Sequence, residues 1–144
     1  MSLSHPVALF PALFFTVALL VTTAYFLLGG LPLLVLQHDT PTDARFVRGF
    51  FNVYYRAALA TSAGAAASYA LSSWYLFALG AGVMALAVLA LRRRFIPAME
   101  QIGAAIHSGE RGAIGRFRRL HSAALLLNLL QLLVLVWSLM RLPL

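Results

Sequence analysis

The feature that most constrains this chain is the length of its uncharged apolar runs. The first extends from Val7 to Leu36 without a charged residue. As a helix it would be about 45 Å long, which exceeds the ~30 Å hydrocarbon thickness of a bilayer. Hydrophobic residues make up 62% of the chain and charged residues only 10%, whereas soluble domains are about 45–50% apolar and ~25% charged. Lipid rather than water is therefore the predicted solvent for most of the surface.

Turn signals divide the 144 residues into four long segments. Each bilayer crossing consumes roughly 20 residues plus a connection, so four crossings fill the chain. Short links between neighbouring helices favour an up-and-down arrangement. The sequence predicts an all-α protein, an integral membrane four-helix up-down bundle that forms a single transmembrane domain over residues 1–144. Its helices are expected near residues 7–36, 41–71, 74–106 and 113–141.

Local motifs place the start of the second helix and its packing face. Thr40 is expected to be the N-cap, with Pro41 at the first helical position and Asp43 closing a capping box. Further along the same helix, small residues recur every four positions, a spacing that lets two helix backbones approach closely in lipid. These residues are Ala60, Gly64 and Ser68.

Two segments are predicted to depart from a straight span. The first helix is longer than the bilayer requires and is expected to tilt, bend or project near Gly29, Gly30 and Pro32. After the arginine triplet that ends the third span, Pro97 is expected to bend the chain. An apolar edge suited to the membrane surface follows at Met99, Ile102 and Ile106.

The distribution of arginine predicts the orientation. All 11 basic residues are arginine, against 4 acidic residues. They cluster beside apolar runs, which favours contacts with membrane lipid over binding of nucleic acid. Both long connections on one side carry arginines, whereas the turn at Ser72 and Ser73 has none and the termini have only Arg141. By the positive-inside rule the termini and that turn face away from the cytoplasm, with the bacterial inner membrane as the expected location.

Polar side chains at bilayer depth are costly, so they usually face the interior of a bundle and mark functional sites. Two groups are expected to line one cytoplasmic-side cavity: Asn52, Tyr55 and Arg56 on the second helix, and His121, Asn128 and Gln131 on the fourth. In the functional interpretation Arg56 holds an anionic or phenolate-like oxygen, and His121 carries a proton or ligates a metal or haem. In the structural interpretation Arg56 reaches out to the interface and Asn128 hydrogen-bonds a neighbouring helix.

Other chemistries have little support in the sequence. There is no cysteine, no spaced histidine pair for a dedicated zinc site, and no carboxylate pair placed for acid–base work or metal binding. The absence of metal and of any cofactor is therefore the favoured prediction. A haem held between His121 and His38 stays open as an alternative.

The fourth helix also carries a family resemblance. The segment Arg116-Phe117-Arg118-Arg119-Leu120-His121-Ser122, with Asn128-Leu129 following, resembles the last helix of small four-helix membrane proteins of unknown function grouped around the anthrone-oxygenase-like proteins. The segment Phe95-Ile96-Pro97-Ala98-Met99 is similar to their loop after helix three. The resemblance implies oxidation of polycyclic phenolic substrates by dioxygen without a known cofactor, with His121 and Asn128 as the corresponding residues. A more distant likeness is to copper-resistance-D-like and HemJ-type proteins, some of which bind haem.

These observations lead to one functional prediction and two alternatives. The prediction is an intramembrane polar pocket that binds a small aromatic or lipophilic molecule, with oxidoreductase activity if the resemblance holds. The first alternative is a non-catalytic accessory subunit of a larger membrane complex, or a homo-oligomer, that packs through Ala60, Gly64 and Ser68. The second is a haem-binding or small transport protein.

Overall fold

The chain folds into four α-helices, which confirms the predicted all-α class. The structure is a computed structural model and describes residues 5–35 and 40–141. Within those residues the helices are α1 (His5–Leu33), α2 (Pro41–Leu71), α3 (Tyr75–His107) and α4 (Ala113–Met140).

Three of the four helices are long and apolar enough to cross a membrane. These segments are Leu9–Leu33, Tyr75–His107 and Ala113–Met140. The helix α2 is long enough but is not among them, because it carries Arg45, Arg48 and Arg56 and is rich in alanine, glycine and serine. Of the four predicted membrane-crossing helices, α1, α3 and α4 are therefore long and apolar enough to cross.

Each helix packs against its neighbours in the chain, and α4 also contacts α1 to close the ring. Near one end of α1, the Thr16 Oγ1 lies 3.0 Å from the Tyr69 Oη of α2. Near the other end, the ring of Phe26 lies 4.6 Å from that of Phe50 and 5.1 Å from that of Tyr54. The interior is built mainly from aromatic rings and small side chains, which lets the helices approach closely.

The glycines of α1 and α2 mark close packing rather than breaks. A Cβ on Gly30 would lie 2.5 Å from the Leu125 Cδ2 of α4, and one on Gly64 would lie 2.7 Å from the Phe15 ring of α1. The helix α1 continues through Gly29 and Gly30 and ends at Leu33, one residue after Pro32. The predicted end at residue 36 is therefore wrong, because the helix stops at Leu33 and residues 34 and 35 are not helical.

The helix α3 continues without interruption past its arginines and through Pro97 to His107. Met99 and Ile106 are buried in the main core, and Ile102 packs against it, together with residues of α2 and α4 such as Val47 and Phe117. The predicted apolar edge on the membrane surface is therefore wrong, because these side chains are covered by the neighbouring helices. We call residues 41–52, 93–107 and 113–119 the arginine-rich extension.

The helix ends follow their local signals. The Thr40 Oγ1 accepts a hydrogen bond from the Asp43 backbone N–H at 3.2 Å, which confirms the predicted N-cap. At the other end of α2, Ser73 adopts the left-handed conformation with φ 62°, and the Trp74 N–H donates to the Tyr69 carbonyl at 2.9 Å. These bonds make a tight connection between α2 and α3.

Candidate functional site

Among the polar side chains buried in the interior are six from α1, α2 and α4. His121 and Asn128 of α4 are both 0% exposed. They are seven positions apart, which places them about 20° apart around the helix axis and ~10 Å apart along it. We call the six residues the buried polar cluster: Thr23, Tyr54, Tyr55, His121, Asn128 and Gln131.

One hydrogen bond crosses the interior between α2 and α4. The Tyr54 hydroxyl donates to the Gln131 Oε1 at 3.1 Å. On α1, the buried Thr23 hydroxyl donates to the Leu19 carbonyl of its own helix at 2.8 Å. Tyr54 therefore links α2 to α4 through its hydroxyl, and its ring contacts Phe26 of α1 at 5.1 Å.

The His121 side chain is fully buried and contacts an aromatic ring of α2. Its imidazole meets the Phe51 ring edge-on, with the ring centroids 5.3 Å apart and the planes at 87°. Phe51 in turn contacts Tyr55 at 6.1 Å, and Tyr55 contacts Tyr54 at 5.2 Å. Across the described residues, no three histidine or carboxylate side chains converge on a common metal position. The proposed haem partner His38 lies outside those residues.

Four buried polar atoms of the cluster have no hydrogen-bond partner among the residues that the structure describes. They are the Tyr55 Oη, the Asn128 Nδ2 and Oδ1, and the Gln131 Nε2. A buried donor or acceptor left without a partner costs roughly 1–3 kcal/mol. Such atoms are rare in folded proteins, and each calls for an explanation such as a ligand or an ordered water. The Asn128 amide is notable because both its donor and its acceptor are unused.

Two predicted site residues do not join the cluster. Arg56 is exposed on the outer face of α2, because positions 54 and 56 are separated by about 200° around a helix and Tyr54 points inward. Asn52 is half-buried, and its Oδ1 accepts a hydrogen bond from the Arg92 Nε of α3 at 3.2 Å. The structure thus turns Arg56 away from His121 and ties Asn52 to α3 rather than to α4.

The sequence analysis named four of these buried residues, Tyr55, His121, Asn128 and Gln131, but not Tyr54 or Thr23. A signal for Tyr54 was present, since Val47, Phe51, Tyr54 and Ala58 recur at helical spacing and are all buried. Thr23 carried no such signal, because a threonine inside an apolar run usually bonds its own helix.

The structure gives no evidence of an open pocket at the cluster. It has a groove of about 330 Å³ between α2 and α3 and another of about 290 Å³ between α1 and α2. Both lie at the arginine-rich extension, and neither is lined by a residue of the buried polar cluster. The rings of Phe51, Tyr54 and Tyr55 fill the space in which the cavity was predicted.

The fold therefore defines an all-helical protein with three helices apolar enough to cross a membrane. In the comparison with known proteins, no family model, no curated protein and no solved structure matches the chain. The resemblance to anthrone-oxygenase-like proteins stays a prediction.

Proposed function

We propose that the chain is an integral membrane protein whose four helices cross the bilayer as an up-and-down bundle. The support is the chemistry of the outer surface. The outward faces of α1, α3 and α4 carry bulky apolar side chains over their length, far more than soluble proteins expose. These include Phe10, Phe14, Val21, Leu28, Leu79, Val83, Leu86, Leu126, Leu130 and Leu133.

The helix α2 fits the same membrane despite its arginines. Its last nineteen residues, 53–71, contain one charge, at Arg56. Arg56 lies four positions, or about 6 Å, from the level at which Asn52 contacts Arg92, so its side chain can reach the interface. At the opposite end, the Arg141 guanidinium lies 5.2 Å from the Trp137 ring centroid, as expected at a second interface.

We place the arginine-rich extension in the cytoplasm of a bacterial cell and the termini on the other side of its inner membrane. The chain has no cysteine, so single cysteines can be labelled without background. Ser73→Cys should react with a membrane-impermeant maleimide on intact spheroplasts, and Ser108→Cys only after permeabilisation. Both serines are exposed, so equal labelling of the two from one side would exclude this topology.

Within the membrane, we propose that the buried polar cluster binds a small lipophilic or aromatic molecule that carries a hydroxyl or phenol group. The observation that carries this proposal is the fully buried Asn128 amide, whose donor and acceptor both lack a partner among the described residues. A hydroxyl both donates and accepts, so it matches one amide. The cluster contains no carboxylate or arginine, which favours a neutral ligand. Entry requires the rings of Tyr54 and Tyr55 to move.

Extraction of the purified protein with organic solvent, followed by mass spectrometry, tests this binding. Wild-type protein should release a lipophilic hydroxyl compound in near-stoichiometric amount, and Asn128→Leu should release much less. Ser122→Ala, on the exposed face of the same helix, is the matched control and should behave as wild type. Equal recovery from Asn128→Leu and wild type would contradict the proposal.

The narrower proposal, which follows from the family resemblance, is that the bound molecule is a phenolic substrate oxidised by dioxygen. His121 would then accept the phenolic proton, a role that imidazole fills near neutral pH. Uptake of dioxygen by purified protein supplied with a polycyclic phenol, and its loss in His121→Gln, would support this activity. Uptake that is absent in wild type, or unchanged in the variant, would contradict it.

A second candidate function is that of an accessory subunit, or of a homo-oligomer, and the outer face of α2 favours it. Ala60, Ala63 and Ala67 are exposed there, at the spacing that lets helices approach closely. The face predicted from the sequence, Ala60, Gly64 and Ser68, is partly covered by the chain's own helices. Gly64 contacts Phe15, and Ser68 is buried. Ala63→Phe should therefore release a partner or a second copy on native gels. An unchanged size would argue against this role.

A further inference from the structure

Two grooves of different chemistry meet at one residue of the arginine-rich extension. The groove between α2 and α3 is the more polar of the two, because Arg45, Arg48, Glu100 and His107 line it together with small and apolar residues. The groove between α1 and α2 is lined by Arg45 and otherwise by apolar residues. Arg45 belongs to both grooves and is exposed. A molecule with an anionic head and an apolar tail could place its head at Arg45 and its tail in the groove between α1 and α2.

The polar groove has an uncompensated positive charge. The Arg48 Nη1 lies 2.7 Å from the Glu100 Oε1, so that carboxylate is already neutralised. Arg45 takes part in no ion pair within residues 5–35 and 40–141. The guanidinium offers a planar set of donors suited to phosphate, and His107 lies in the same groove.

The apolar groove is open and has a glycine where a side chain would block it. Phe46 and Val53, two of its lining residues, are each 59% exposed. A Cβ placed on Gly49 would meet no atom within 4 Å, so this position leaves room along the helix. Phe26 and Phe50 supply the remaining walls. The shape and chemistry suit a single hydrocarbon chain.

The two grooves lie at the level where the membrane would end. Val53 adjoins the level of the contact between Asn52 and Arg92, where the hydrophobic part of α3 ends. Arg45 lies eight positions further along α2, or about 12 Å. The headgroup region adds roughly 5–8 Å on each side of the hydrocarbon core. The Arg45 backbone is therefore about 4–7 Å beyond the headgroup region, and its long side chain has to reach back for the guanidinium to meet a lipid phosphate.

We propose that the two grooves together bind one anionic membrane lipid, with its phosphate at Arg45 and an acyl chain along the apolar groove past Gly49. This inference rests on the membrane insertion proposed above. It is independent of the ligand proposed for the buried polar cluster, because the grooves and the cluster share no residue.

Native mass spectrometry of detergent-purified protein, titrated with phosphatidylglycerol or phosphatidylcholine, tests the site. Wild type should bind phosphatidylglycerol in preference. Arg45→Gln should weaken that binding about fivefold, the change expected for one arginine at a lipid surface, and Arg45→Lys should recover most of it. Arg94→Gln is the matched control, because Arg94 is exposed on α3 and lines neither groove. An equal loss in Arg94→Gln would overturn the site in favour of diffuse attraction.

A second variant separates a lipid from a free anion. Gly49→Leu should fit without strain yet fill the apolar groove, and so it should weaken phosphatidylglycerol binding. If phosphatidylglycerol binds Gly49→Leu as tightly as wild type, and inorganic phosphate displaces the lipid, the site recognises only the phosphate group. The lipid proposal then fails. A protein that leaves membranes in an alkaline wash without detergent would instead refute membrane insertion itself.

Discussion

Replacing Asn128 by leucine is expected to stabilise the ligand-free protein, although it removes a polar residue from the centre of the fold. The Asn128 side chain is fully buried, and neither its Nδ2 nor its Oδ1 has a partner among the described residues. Two such atoms carry a penalty of roughly 1–3 kcal/mol each. Leucine has the same branching but more volume, and the strain of fitting it costs about 1 kcal/mol or more. The two penalties together are roughly 2–6 kcal/mol, so the net expected gain in the free energy of unfolding is about 1–5 kcal/mol.

The neighbouring amide on α4 provides the opposite expectation. The Gln131 Oε1 accepts the hydrogen bond of the Tyr54 hydroxyl at 3.1 Å. Gln131→Leu removes that acceptor together with the Gln131 Nε2, which has no partner among the described residues. It also leaves the Tyr54 hydroxyl without its acceptor, so the number of unpaired buried atoms stays the same and one hydrogen bond is lost. We expect this variant to lose about 1 kcal/mol, the usual net value of one hydrogen bond.

The assay is equilibrium unfolding in mixed micelles with increasing dodecyl sulfate, followed by circular dichroism after extraction of bound lipophilic compounds. Wild type, Asn128→Leu and Gln131→Leu are compared in the same detergent. If Asn128→Leu is destabilised as much as Gln131→Leu, the Asn128 amide is satisfied inside the folded chain. The reasoning that assigns a ligand to it would then be refuted.

Three further predictions concern packing and helix ends. Gly64→Ala should destabilise the protein by about 1–3 kcal/mol, because the new Cβ would lie 2.7 Å from the Phe15 ring. Gly82→Ala is the control and should not destabilise the protein, because its Cβ would meet nothing within 4 Å. Equal thermal midpoints for the two variants would contradict this prediction. Thr40→Ala should cost about 1 kcal/mol through loss of the N-cap, seen as fraying of α2 in hydrogen exchange, and unchanged exchange there would count against the cap. Ser73→Gly should gain about 0.5–1 kcal/mol, since φ is 62° at this position, and a lower thermal midpoint would show that the hydroxyl matters instead.

Much of the fold could be predicted from the sequence, because helix boundaries are local. Thr40 caps the start of α2 with its own side chain. The glycines at 109 and 112 adopt the left-handed turn conformation that ends one helix and precedes the next. The number of helices could also be predicted, because each apolar run is a local property of the sequence. The burial of Met99 and Ile106 could not be predicted in this way. An apolar edge has the same sequence pattern whether lipid or another helix covers it.

The candidate site could be predicted only in part. Helical spacing correctly put His121 and Asn128 on one face, since that depends on one helix alone. It could not orient α2, because Asn52, Tyr55 and Arg56 span about 100° around the helix axis and each was compatible with an inward position. Only the packing of α2 between α1 and α3 decided that Tyr55 is buried and Arg56 exposed.

The sequence by itself determined that this protein is helical, where its helices begin, and that most of its surface is apolar. These properties follow from backbone hydrogen bonding and side-chain polarity within a few residues of each position. The tertiary structure alone decided which polar groups meet, because a bond such as that between Tyr54 and Gln131 joins residues 77 positions apart. The tertiary structure also decided which polar groups do not meet. The Asn128 amide is therefore buried without a partner among the described residues.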